Sequence, residues 1–121
     1  MYLSTAAKVT FSLLIIVISY LAFAPAPVQI QINHFDKVNH LAAFASLALV
    51  GRFAFTLAPW QLTLWLLGYG ALIEGIQAFI PNRFASGFDL LADLIGIGLG
   101  LLVYTILAPW LNAALARLGS H

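Results

Sequence analysis

Charged side chains are placed so that most of this chain carries none. No Asp, Glu, Lys or Arg stands between Lys8 and Asp36, between Lys37 and Arg52, between Arg52 and Glu74, or between Asp93 and Arg117. Removing a charge from water is costly, so uncharged runs of this kind suit helices that cross about 30 Å of hydrocarbon, which takes roughly 20 apolar residues. In its 121 residues the chain holds five basic and four acidic side chains, and 63% of it is hydrophobic. Soluble domains run at roughly 45 to 50% apolar. A globule this small could not cover its apolar surface with so few charges, and the composition points to an integral membrane protein. A net charge of +1 with no basic run leaves nothing to neutralise a row of phosphates, so nucleic acid is not an expected partner. The lack of cysteine excludes disulfides, thiolate metal sites and thiol nucleophiles.

Breakers divide the apolar sequence into four expected spans, at about 9–27, 38–57, 60–80 and 88–107. Pro25-Ala26-Pro27 closes the first, Pro59 separates the second from the third, and Pro81-Asn82 ends the third. Pro109 is expected to stop the fourth, leaving a short amphipathic tail with Trp110 and Arg117. The first run is longer than a signal-peptide core and lacks a cleavage pattern, so it reads as a retained helix. Connections are short, which makes consecutive helices antiparallel neighbours. The expected fold is all-α: one domain over 1–121, a compact antiparallel bundle of four transmembrane helices. Arg52 lies near the end of its span, where its stem can snorkel, and Trp60, Trp65 and Trp110 read as an aromatic belt. Both termini then share a side with Lys8, Arg52 and Arg117, against Lys37 and Arg83 opposite, a bias toward cytoplasmic termini.

On this layout all four acids fall at one membrane face. Asp36 is in the first connection, Glu74 lies about a turn and a half from the end of span three, and Asp89 and Asp93 occupy the first two turns of span four. Lys37, Arg83, His34 and His40 join them, while the other face keeps only basic residues. Asp36 and His40 are four apart on one helical face, and Glu74 and Gln77 are three apart. Asp89, Asp93, Gly96 and Gly100 form a single stripe, acidic and then small, with the GxxxG spacing that admits a close neighbour. Three helices can therefore aim polar faces at one point. The net negative charge there can be balanced by a divalent metal ion on His40, Asp89 and Asp93, by protonated acids, by a charged His40, or by water.

These residues resemble the VanZ-like family of small bacterial membrane proteins, named for a teicoplanin-resistance protein. Asp36-Lys37-Val38-Asn39-His40 is similar to the family's Asp-Lys-x-x-His opening of a span, and Glu74-Gly75-Ile76-Gln77-Ala78-Phe79 to its Glu-x-x-Gln-x-aromatic segment. Arg83, Ser86, Asp89, Asp93, Gly96 and Gly100 match its Arg, Ser, Asp, Asn, Gly and Gly, with Asp93 standing where many members have Asn. The matching blocks run from Asp36 to Gly100, about half the chain. The resemblance implies a multi-pass protein of the bacterial cytoplasmic (inner) membrane tied to the cell envelope and to antibiotic susceptibility. It supplies no chemical mechanism.

No Walker A, GxSxG, HExxH or dinucleotide fingerprint is present, and no serine sits in a triad arrangement. The expected function is recognition, at an outward-facing polar mouth, of an anionic lipid head group such as a polyprenyl phosphate or a cell-wall precursor. Asp36, Lys37, His40, Glu74, Gln77, Arg83, Ser86, Asp89 and Asp93 are the expected binding residues, with Lys37 and Arg83 on phosphate. Were the site to do chemistry, Glu74, Asp89 and His40 are the acid or base candidates. Two alternatives stay open. The polar cluster can be a packing network of an accessory subunit acting through a membrane partner, or part of an ion- or proton-coupled transporter assembled as a homo-oligomer.

Overall fold

A computed structural model of the chain describes residues 2–23, 33–79 and 87–119. They form four helices, α1 (Tyr2–Phe23), α2 (Asn33–Ala54), α3 (Pro59–Gln77) and α4 (Gly87–Gly119), and no strand occurs among the described residues. Two of them are long and apolar enough to cross a membrane by length and composition, at Ser4–Phe23 and Phe88–Leu118, and Val38–Ala54 is a shorter apolar helix.

Helix ends differ from the expected spans in an instructive way. α1 starts at Tyr2 rather than at 9 and α2 at Asn33 rather than at 38, so Asp36 and Lys37 belong to a helix and not to a connection. Hydropathy marks where a helix can meet lipid, whereas the backbone keeps its hydrogen bonds through any adjacent residues that tolerate helix. Pro109 does not end α4, which continues to Gly119 and removes the separate tail. A proline deletes one i to i−4 bond. The residues after it, Leu111 and Ala113 to Leu118, are good helix formers that resume the ladder. α3 begins where expected: Pro59 takes the first helical position, where its missing N–H costs nothing, and Gln61 Oε1 accepts the Ala58 N–H at 2.9 Å.

α2 is the centre of the bundle. It packs most extensively along α4, then along α1, and also meets α3, whereas α1 and α4 make no contact among the described residues. The α2–α4 pair runs parallel: His40 meets Asp93 near both N-termini, and Arg52 lies over the Tyr104 ring at 4.5 Å further along. Small residues set this seam. A Cβ on Gly96 would collide with the Leu41 carbonyl, and one on Gly100 with the Ala45 carbonyl and the Ala48 methyl. Phe44, Leu47 and Ala48 of α2, Leu62, Leu66 and Ile73 of α3, and Ile97 of α4 form the buried core. α1 covers it with Phe11, Leu14, Ile15 and Ile18. Polar ties hold α1 to α3: Tyr69 Oη lies 2.5 Å from Ser19 Oγ and 3.3 Å from the Ile15 carbonyl, and Gln77 Nε2 donates to the Ala22 carbonyl at 3.0 Å.

Candidate functional site

The N-terminal ends of α2 and α4 lie side by side, and the C-terminal half of the antiparallel α3 passes them. That topology brings His40, Glu74, Asp89 and Asp93 together from three helices. Asp89 and Asp93 are one turn apart, so both face inward from α4. Their exposure is 2% and 0%, and Glu74 keeps 8%, although carboxylates are almost never buried without a partner or an ion. His40 is the hub. Its Nδ1 lies 2.9 Å from Asp93 Oδ1, and its Nε2 lies 3.8 Å from Asp89 Oδ2. One ligand-type atom from each of His40, Glu74 and Asp89 falls within 4.8 Å of the others.

An ionised Asp93 only accepts hydrogen bonds, so a neutral His40 carries its proton on Nδ1 and turns the Nε2 lone pair toward Asp89. A carboxylate behind one ring nitrogen is the arrangement that fixes tautomer and ring orientation in metal-binding histidines. Gly70 makes room for that carboxylate: a Cβ at this position of α3 would stand 2.6 Å from Asp93 Oδ2 and 3.3 Å from the Phe44 ring. Asp93 Oδ2 is fully buried and accepts no hydrogen bond from any described residue.

Of the binding residues expected from sequence, the structure gathers His40, Glu74, Asp89 and Asp93. The grouping differs in one respect. Glu74, and not Asp93, joins His40 and Asp89 as the set whose atoms can share an ion, because Asp93 is engaged at the far side of the imidazole. Gln77 is buried as well, but its amide is spent on the α1 carbonyl of Ala22. The side chains of Asp36 and Lys37, and the whole of Arg83 and Ser86, lie outside the described residues. Sequence reading passed over Gly70, whose importance depends on which α4 side chain crosses it. It also passed over the Arg52 clasp, in which the guanidinium donates to the Leu57 carbonyl at 2.8 Å while lying over the Tyr104 ring.

No protein-family profile matches the chain, and no solved structure does. A protein of the yeast Schizosaccharomyces pombe, itself uncharacterised, is 40% identical over 98 residues, which covers 77% of this chain. The chain spans 59% of that relative's length. This relative corrects the expected localisation. It belongs to a eukaryote, so the bacterial cytoplasmic (inner) membrane does not stand. Hydropathy and charge bias describe a bilayer and its two sides, and nothing in them names the cell; the bacterial setting came from the family resemblance alone.

Proposed function

We propose that the chain is a four-span membrane protein whose buried polar end recognises the phosphate-bearing head group of an anionic lipid. The observation that carries this reading is the convergence of His40, Glu74 and Asp89, one from each of three helices, within 4.8 Å at one end of an otherwise apolar bundle. Ionisable residues cost roughly 2.5 to 3.5 kcal/mol each at the centre of a membrane helix and less toward its ends, and within spans they mark functional sites by default. The apolar exterior supports the membrane setting. Leu13, Ile16, Val17 and Tyr20 of α1 and Leu102, Val103 and Ile106 of α4 are all exposed, a surface that suits lipid tails better than water. The VanZ-like resemblance suggests a polyprenyl phosphate as the lipid, and Lys37 and Arg83 are the basic residues that the sequence offers for its phosphate.

A second reading, in which the cluster is only a packing network of an accessory subunit, draws on the Gln77 tie to α1 and the His40–Asp93 bond between α2 and α4. Native mass spectrometry of the mildly extracted protein separates the two. The head-group reading expects a phosphorylated lipid that stays with the wild type and is lost from folded Glu74→Gln and Asp89→Asn variants. The same lipids on all three, or none on any, would transfer the cluster to packing.

A further inference from the structure

We propose that His40, Glu74 and Asp89 bind one divalent transition-metal ion, with Asp93 as a positioning residue behind the imidazole. Three features of the geometry combine. First, an imidazole nitrogen and two carboxylate oxygens from three separate helices come within 4.8 Å of one another, and side-chain movement toward a shared ion would bring them to the roughly 3.5 Å separation of tetrahedral ligands. Second, the imidazole is already oriented: Nδ1 lies 2.9 Å from Asp93 Oδ1, and in the tautomer that donates to an ionised Asp93 the Nε2 lone pair is on the side of Asp89. Third, the pocket behind that carboxylate is shaped for it. Gly70 leaves the space that Asp93 Oδ2 fills, and that oxygen is buried with no hydrogen-bond partner among the described residues.

One nitrogen and two carboxylates suit Zn²⁺ or Mn²⁺ better than the all-oxygen ions, and three protein ligands leave at least one coordination position open. The ion also resolves a conflict in the head-group reading, on which its use rests. Three carboxylates gathered within a few ångströms repel a phosphate, whereas a bound dication offsets two of their charges and presents a Lewis acid to a phosphate oxygen. The site itself stands on the side-chain geometry and does not depend on any lipid.

The test separates the site from its use. Full-length protein in detergent is stripped with a chelator, dialysed against Zn²⁺ alone and counted for bound metal by elemental mass spectrometry, with Co²⁺ as an optical probe of nitrogen and oxygen ligation. The expected result is one equivalent on the wild type, lost from His40→Ala and Glu74→Gln. Asp93→Asn keeps a hydrogen-bond acceptor but loses the charge, and should weaken Zn²⁺ about 10- to 100-fold with an unchanged melting profile. Folded wild-type protein that takes up no equivalent, or an equivalent that survives in Asp93→Asn and Glu74→Gln at full affinity, overturns the site. Vesicles containing phosphatidate are then compared with phosphatidylcholine alone. Metal bound without phosphatidate selectivity overturns the head-group reading and leaves the metal site standing, and selectivity that persists in chelator overturns the ion's part in it.

Discussion

At the scale of single residues, the chemistry depends on a neighbour with no side chain. Gly70 lets the Asp93 carboxylate sit against the backbone of α3 while its other oxygen holds His40. Gly70→Ala places a methyl where Asp93 Oδ2 and the Phe44 ring now stand. Overpacking of this kind costs about 1 to 3 kcal/mol. Thermal unfolding in detergent should show that loss, together with weaker Zn²⁺ binding than wild type. An alanine variant with wild-type melting and affinity would mean that the carboxylate does not occupy this space. The polar members of the cluster were legible in the sequence because each is an ionisable residue stranded in an apolar run, and helical spacing showed Asp89 and Asp93 on one face. Gly70 was not legible. Nothing in its own helix distinguishes it from Gly68 or Gly75, neither of which has anything within 4 Å of a built Cβ; only the crossing side chain of another helix does.

Among the elements, the α2–α4 seam was half readable. The Gly96 and Gly100 spacing announced a close approach, and the structure places the Leu41 and Ala45 carbonyls of α2 against those two glycines in a constant register. The partner was harder to foresee. Short connections favour chain neighbours, yet α4 packs most extensively on the parallel α2, because that is the helix with small residues on the facing stripe. Gly96→Ala and Gly100→Ala each drive a methyl into backbone, which cannot rotate away, so each should lower stability by about 1 to 3 kcal/mol. Gly98→Ala, with nothing within 4 Å, should change it little and is the control. Denaturation followed by circular dichroism checks the order. Equal melting of all three variants would argue against the seam. Pro109 was misread for a different reason: sequence shows the lost N–H, but not that helix-forming residues on its far side resume the ladder.

For the whole molecule, the four helical segments were legible because breakers and charge gaps coincide, while the kind of cell was not, since an apolar helix reads the same in any organism. If the exposed apolar faces of α1 and α4 meet lipid, the expressed chain should stay in the membrane pellet through alkaline carbonate washing and need detergent for release; recovery in the wash would contradict the four-span reading.

The central position of α2 also has a consequence for the order in which the chain is made. Its main partner, α4, is synthesised two helices after it, so α2 leaves the ribosome before the helix that covers it most. The small-residue stripe of α2 meets Gly96 and Gly100, and His40 meets Asp89 and Asp93, only once the residues from 87 onward have emerged. Completion of the polar cluster therefore waits on α4, and a halt in translation before Gly87 leaves α1 and α2 packed together with the two α4 carboxylates of the cluster still missing.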